Sequence, residues 1–442
     1  MSASTIYSLS SAPGRAGVAV FRVSGPKASD IACELSGRNL PRPRLVSLCR
    51  FKNAKGQEID EGLLIWMPGP QSFTGEDCAE FQLHGSPAVA EAIASAFLAA
   101  GARQAEPGEF TRRAFMNGRL DLTEAEGLAD LIDADTQAQR VQALRQMQGG
   151  LKARYESWRE GLLDALAQIE GEIDFPDESD IPNDLAHKAL APIKDLISDM
   201  DAALLNADQG ERVRAGVEIA IIGAPNAGKS SLLNNLARRD AAIVTPQAGT
   251  TRDIVEIHLV LGGLAVRVSD TAGLRVSEDT IEAEGIRRAR HRAEEADIRI
   301  LVQDPSFSSN EGLELIRSGD FVLLNKSDLG ESPSVTSIES VQSFKLSALT
   351  GDGMELFESA LSEAVKTRYS PGRDAGLTRA RHKDCVLRAK NALSRASNAL
   401  NIAPELAGDD LRAALQALRE LAGETDIEAV FDRIFSRFCV GK

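Results

Sequence analysis

Lys229 and Ser230 close the octet Gly223-Ala224-Pro225-Asn226-Ala227-Gly228-Lys229-Ser230, which has the G-x-x-x-x-G-K-[ST] spacing. Each residue type has a use there. Glycines let a loop turn tightly enough for main-chain N–H groups to converge on an anion. An ammonium supplies a point charge for β- and γ-phosphate oxygens, and a hydroxyl is a hard ligand for Mg²⁺. That chemistry is the cradling of a nucleoside triphosphate. Its first candidate residues are Gly223, Asn226, Ala227, Gly228, Lys229, Ser230 and Ser231. The motif works only between a strand and a helix N-terminus. Val217 to Ile222 has the β-branched, apolar composition of such a strand, and Ser231 to Leu236 reads as the first turns of the helix.

Further segments follow in the order that guanine-nucleotide chemistry needs. The stretch Thr245-Pro246-Gln247-Ala248-Gly249-Thr250-Thr251 comes at switch distance, with Thr251 placed to lend Mg²⁺ a second hydroxyl. Val266 to Ser269 reads as a strand running into Asp270-Thr271-Ala272-Gly273, with the carboxylate near Mg²⁺ and the Gly273 N–H near the γ-phosphate. Ile298 to Val302 is a buried strand ending near Asp304. Phe321 to Leu324 is a strand ending in Asn325-Lys326-Ser327-Asp328. Asp328 can accept two hydrogen bonds, from guanine N1–H and its 2-amino group, whereas adenine presents no such pair of donors. Ser347, Ala348 and Leu349 supply the last base-contacting loop. The expectation is a P-loop domain that binds and hydrolyses GTP.

Leu274 follows the D-T-A-G motif, and its side chain can neither donate nor accept a hydrogen bond. Many GTPases orient the attacking water from that position with glutamine. Here another group must orient the water, and Arg275, Glu278, Asp279, Glu282 and Glu284 lie downstream. An amide oxygen at Asn226 could help hold a monovalent cation near the phosphates, doing the electrostatic work of an arginine finger.

The elements that position these residues make up a third of the chain. At 442 residues the protein is too long for one core. Its formal net charge of −15 argues against a general nucleic-acid coat, without excluding a local RNA patch. Five scattered cysteines with no C-x-x-C pair fit a reducing compartment, with neither a disulfide frame nor a zinc site. No apolar run approaches a membrane span, and the first residues are neither a signal nor a transit peptide, so a cytoplasmic protein is expected. Residues 1–118 read as mixed α and β, with strands at Val18–Val23, Leu63–Met67 and Ala79–Gly85 and a helix at Ala88–Ala100. Within them Ser72–Asp77 and Pro107–Arg113 read as loops. Residues 119–213 are helical, as one stripe from Leu120 to Ile173 broken at Gly149-Gly150 and a second from Asn183 to Ala207. Residues 214–370 hold the nucleotide motifs, and residues 371–442 are again helical. The helical pieces then belong together, with the nucleotide domain inserted between them. Arg379, Arg381, Lys383, Arg388, Lys390 and Arg395 form a basic run, read as a solvated helix face in preference to an RNA patch.

Pro13-Gly14-Arg15, Phe21-Arg22-Val23-Ser24-Gly25, Ser72-Phe73-Thr74-Gly75-Glu76-Asp77, Pro107-Gly108-Glu109-Phe110, the nucleotide motifs and the ending Phe438-Cys439-Val440-Gly441-Lys442 together resemble the MnmE (TrmE) family of tRNA wobble-uridine modification GTPases. The resemblance covers essentially the whole length. It implies a multidomain protein of α/β and α parts: an N-terminal folate-binding and dimerising α/β domain, a central helical domain, and an inserted Ras-like G domain. It implies K⁺ held by Asn226, Thr245, Gln247 and Thr250, and a water-orienting role for Glu282. It implies contacts from Arg22, Glu80, Arg119 and Lys442 to 5-formyl- or methylene-tetrahydrofolate, and it marks Cys439 for chemistry at the tail. The partners it implies are a second copy of the chain, a FAD-dependent MnmG (GidA) protein in a heterotetramer-type complex, and tRNA. Only twenty residues separate Asp304 from Asn325, short for the family, so a trimmed loop or helix is expected there. The alternative is a ribosome-assembly GTPase switch of the same superfamily, which requires a basic RNA module.

Overall fold

The computed structural model describes residues 4–174, 185–238, 256–270, 290–306, 311–330, 340–370, 376–400 and 404–424, with 372, 434 and 441 besides. The chain falls into two compact units: Met1–Ala129, Gln146–Glu160 and Leu415–Lys442 in one, Asp130–Arg145 and Gly161–Ala414 in the other.

The first unit is built on a six-stranded sheet. Its strands are β1 (Ile6–Leu9), β2 (Ala16–Ser24), β3 (Val46–Lys52), β4 (Glu58–Met67), β5 (Cys78–Gly85) and β6 (Arg103–Gln104), in the order β3-β4-β5-β2-β1-β6. All neighbours are antiparallel except β1 and β6. The alternation read in Ala79–Gly85 is real: Ala79, Phe81 and Leu83 are buried, while Glu80 and Gln82 are half-buried on the other face. Helices α1 (Ala28–Ser36) and α2 (Pro87–Ala99) belong to the same core as the buried face, with Phe81 and Phe97 edge to face at 5.0 Å. Ser86 caps α2 by accepting the Val89 N–H, and Gly101 at φ +89° follows its end.

Two expectations change. Pro107–Arg113 is not a loop throughout: Gly108, at φ +68°, is the N-cap of helix α3 (Glu109–Met116), and the Glu109 carboxylate accepts the Glu106 N–H. An acidic residue in a first turn favours the helix, and here that outweighs the polar composition. The long stripe from Leu120 is three helices, α4 (Leu122–Ile132), α5 (Gln137–Met147) and α6 (Gly150–Asp174). Gly149 at φ +83° makes the anticipated break. The break after Ile132 is set by a capping box, in which Thr136 Oγ1 accepts the Gln139 N–H and Gln139 Oε1 accepts the Thr136 N–H.

In the second unit α7 (Leu185–Leu205) and α8 (Ala207–Ala215) lead into another six-stranded sheet. Its strands are β7 (Val217–Ile222), β8 (Glu256–Leu261), β9 (Leu264–Asp270), β10 (Ile298–Gln303), β11 (Phe321–Leu324) and β12 (Gln342–Lys345), in the order β12-β11-β10-β7-β9-β8. Only the β8–β9 pair is antiparallel. Helix α9 (Lys229–Ala237) follows β7, and α10 (Met354–Tyr369) packs Met354, Phe357, Leu361 and Val365 into the sheet core. A ligand on such a sheet binds outside the carboxyl ends of the strands, where strand order reverses. Between β10 and β11 the described residues hold one turn of 3-10 helix, Leu313–Leu315, and no α-helix.

Helices α11 (Ala380–Ala399) and α12 (Pro404–Ala422) complete the description. The basic run lies on α11 and its N-cap, and Arg379, Lys383, Arg388, Lys390 and Arg395 of it form ion pairs. Arg379 pairs with Asp130, Lys383 with Asp208 and Glu211, Arg388 with Asp384, Lys390 with Asp201 and Arg395 with Asp410, at 2.6–2.9 Å.

The chain enters the second sheet from α8 and leaves it after α10, and α5 holds both passages. Gln139 Nε2 donates to Arg214 O (3.1 Å), Gln142 Nε2 to Gly210 O (3.0 Å) and Arg145 Nη1 to Gly372 O (3.1 Å). Arg214 Nε then donates to Thr378 O at 2.8 Å, tying one passage to the other. Among the described residues no helix is long and apolar enough to cross a membrane. None of their His, Cys, Asp and Glu side chains forms a group of three or more that could hold a metal ion.

Candidate functional site

The octet lies where its chemistry requires, between the buried strand β7 and the N-terminus of α9. Its first and last glycines are demanded by contact as well as by conformation. A Cβ on Gly223 (φ +136°) would stand 2.2 Å from Val302 O, and one on Gly228 (φ +99°) 2.0 Å from Asn325 Nδ2. Lys229 is buried, and its Nζ donates to Gly223 O (2.6 Å) and Ala224 O (2.7 Å), closing the loop on itself. Burial pulls its pKa down, against the opposing fields of Asp270 and Glu311. Ser230 Oγ donates to Asp270 Oδ2 at 2.8 Å, which brings a hydroxyl and a carboxylate together at the ends of α9 and β9. Two hard oxygens beside a phosphate loop fit Mg²⁺. Asn226 is exposed at the crest of the loop in the left-handed conformation (φ +63°).

The loops that follow β11 and β12 are joined to the octet by one side chain. Asn325, 3% exposed, donates from Nδ2 to Ala227 O and accepts the Ala348 N–H at Oδ1, both at 2.8 Å. Ser347 and Ala348 are buried, whereas Leu349 is exposed. Lys326 carries a left-handed backbone (φ +63°), and Asp328 follows it, exposed, in the 3-10 turn Ser327–Leu329. Ser231 is exposed in the first turn of α9. The candidates Thr245, Pro246, Gln247, Ala248, Gly249, Thr250, Thr251, Thr271, Ala272, Gly273, Glu282, Cys439 and Lys442 lie outside the described residues, as does Leu274.

A second cluster forms in the first unit. Arg22 donates from Nε and Nη2 to Glu80 Oε1 (3.0 and 2.7 Å). Its guanidinium lies 5.2 Å from the centroid of the Phe73 ring and 5.9 Å from that of Phe110. The two stretches read as loops thus furnish an aromatic cage around a charge that the family resemblance had singled out. What sequence reasoning missed is the fastening of the cage. Arg113 donates from Nη1 to Glu76 and from Nη2 to Glu109 (2.8 Å) and Ser4 O (2.8 Å), while Ser24 Oγ donates to Glu76 Oε2 at 2.7 Å. The available signal was the concentration of Glu76, Glu109 and Arg113 in two polar stretches. Arg119 is exposed, and its Cγ would lie 3.3 Å from a Cβ on Gly75. Glu80, Arg22 and Ser8 form one row across β5, β2 and β1. The tail reaches the end of that row, because Ser10 Oγ donates to Gly441 O at 3.2 Å and a Cβ on Gly441 would stand 2.3 Å from Leu9 O.

Burial pushes the Glu109 carboxyl up, but hydrogen bonds from Arg103, the Glu106 N–H and Arg113 outweigh it and hold the pKa at about 2. A carboxylate depressed in the fold stabilises it above the unfolded pKa, and that contribution is lost as pH falls through the folded value. Arg113→Met is therefore expected to lower unfolding stability by about 2–4 kcal/mol at neutral pH. The deficit should shrink between pH 4.5 and about 2, where Glu109 protonates. Chemical denaturation at several pH values checks this. A deficit of constant size would remove Glu109 from the clamp.

Two family models match the chain. The one described as GTP-binding protein TrmE N-terminus covers residues 5–119, and the one described as MnmE helical domain covers residues 122–439. The tRNA modification GTPase MnmE of Maricaulis maris (strain MCS10) is 53% identical over 441 residues, 99% of each chain. The proteins of the same description from Paramagnetospirillum magneticum and Caulobacter vibrioides are 49% and 47% identical, again over 99% of each chain. With the octet, Asp270, Asn325 and Asp328 in one guanine-nucleotide fold and this likeness running from end to end, the chain belongs to the MnmE family of tRNA modification GTPases.

Proposed function

We propose that the chain hydrolyses GTP to drive addition at C5 of the wobble uridine of certain tRNAs. It acts as a homodimer in the cytoplasm, together with a FAD-dependent MnmG (GidA) partner, and tetrahydrofolate supplies the one-carbon unit for a cmnm5U/nm5U-type product. The observation that carries the nucleotide half is Asn325, whose single amide ties the phosphate loop to the 347–349 loop and so makes one site of two motifs. The Arg22–Glu80 pair in its Phe73–Phe110 cage supports the folate half: a charged, partly buried pair beside two aromatic faces suits a flat, polar ligand.

In this reading residues 1–118 form the folate-binding and dimerising domain, 119–213 and 371–442 the helical domain, and 214–370 the G domain. Main-chain N–H groups of the octet and Lys229 bind the phosphates, and Asp328 with Ser347–Leu349 selects guanine. Ser230 and Thr251 hold Mg²⁺, beside Asp270. Asn226, Thr245, Gln247 and Thr250 hold K⁺. The two cations, when bound, neutralise charge that develops on the transferred phosphoryl group. Glu282 orients the attacking water in place of the group that Leu274 cannot supply. Arg22, Glu80, Arg119 and Lys442 hold the folate. Cys439 is reserved for chemistry at the tail. The switch alternative would need free basic surface for RNA, and the charges of Arg379, Lys383, Arg388, Lys390 and Arg395 are spent on ion pairs.

One experiment tests the whole reading. Nucleosides from tRNA of cells lacking the protein should lose the C5-modified wobble uridine. The parental chain should restore it, and Glu282→Ala should not, although it still binds GTP. Purified parental protein should hydrolyse GTP faster in K⁺ than in Na⁺. Modified uridine persisting in the deleted cells would sink the proposal, and equal rates in the two salts would remove the K⁺ site from it.

A further inference from the structure

Lys326, beside Asn325, also turns its side chain back across the sheet. It follows β11, yet its Nζ donates to Asp304 Oδ2 at 2.6 Å, at the end of β10 and so one strand nearer the octet. Asp304 is itself fixed. Its Oδ1 accepts the Ser306 N–H (2.9 Å) and the Ser306 hydroxyl (2.5 Å), so each carboxylate oxygen has its own task. The side chain is 15% exposed, and the hydrogen bond from Lys326, followed by those from Ser306, holds its pKa below the usual carboxylate range. A cavity of about 300 Å³ opens beside the pair, lined on one side by Ala224–Ala227 of the octet and on the other by Gln303, Asp304, Ser306 and Glu311.

A lysine stem has four rotatable bonds, and a bound nucleotide that needs it in one place must otherwise bear the cost of ordering it. Lys326 is ordered in advance by Asp304. Its backbone, in a conformation that L-residues rarely adopt, continues directly from the Asn325 amide that grips Ala227 O. We propose that Asp304 is a positioning residue of the guanine-nucleotide site: it pins Lys326 across the end of β10 and thereby sets how long the nucleotide stays bound. This rests on the GTP-binding reading of the site.

The test uses the full-length chain and release of a fluorescent GDP analogue followed by stopped flow. Asp304→Asn keeps an oxygen for Ser306 and loses the charge, so it separates the ion pair from the local turn. It should release the analogue about tenfold faster, the magnitude of ordering one long side chain, with the loss in kcat/KM for GTP carried by KM. Lys326→Met should release at a similar rate, and the double variant no faster than Lys326→Met alone. Parental release rates in Asp304→Asn, or effects that multiply in the double variant, would overturn the proposal. A parental chain that fails to bind the analogue at all would overturn the nucleotide site itself.

Discussion

Asp328→Asn is expected to turn the protein from a GTPase into an XTPase. In the proposed site Asp328 offers two acceptors to guanine, whose N1–H and 2-amino group both donate. The amide keeps one acceptor and replaces the other by an N–H, which faces the 2-amino group donor to donor. Xanthine has a carbonyl at that position and accepts from the amide. A site built to pair a polar edge rejects the wrong edge by about 10³-fold or more, because groups left unpaired there have lost their water. Hydrolysis of GTP at low concentration should fall by that order, and XTP should become the better substrate. Asp328 lies exposed in the 3-10 turn Ser327–Leu329, so the substitution leaves the fold alone and unfolding stability should move by less than about 0.5 kcal/mol. Hydrolysis assays with both nucleotides decide the matter, and an unchanged preference for GTP would place the base elsewhere.

The second large effect is expected from one methyl group. Gly228→Ala puts a Cβ 2.0 Å from Asn325 Nδ2, on a residue whose φ of +99° already excludes L side chains without strain. Either the octet moves or Asn325 does, and Asn325 holds Ala227 O and the Ala348 N–H together. Both the phosphate cradle and the base loop therefore lose their alignment. The backbone strain alone is worth about 1–3 kcal/mol, and nucleotide affinity should fall by about 10²-fold or more as N–H groups leave the phosphates. Calorimetric titration with GDP measures it. Parental affinity would mean that the amide can rotate away at no loss, and that the junction at Asn325 is not what joins the motifs.

How much of this was legible beforehand follows from how local each feature is. The octet was readable because strand, loop and helix are consecutive, and the burial of β7 on both faces matched its unbroken apolar run. The alternation in Ala79–Gly85 foretold which face of β5 is buried. Asp270 and Asn325 were readable as the ends of strands. The Asp304–Lys326 pair was not, since it depends on β10 and β11 lying side by side, and nothing in the intervening residues states that. Arg113 was in view, but its partners Glu76 and Ser4 come from distant parts of the chain. The break after Ile132 has a local signal, the capping-box spacing of Thr136-Gln137-Ala138-Gln139, set within an apolar stripe that runs on past it.

The three side chains that α5 sends to the two passages around the second sheet all end on main-chain carbonyls: those of Arg214, Gly210 and Gly372. A carbonyl is present whatever residue bears it. The fastening therefore reads the path of the chain and is blind to the identity of the residues along it. A substitution that leaves the backbone on its course leaves these three bonds in place, while Gln139, Gln142 and Arg145 have no such freedom. The part of the joint that α5 supplies is written on one helix, and Arg214, through its side chain, and Gly210, where a Cβ would stand 2.9 Å from Leu377 O, add demands from the segments it holds.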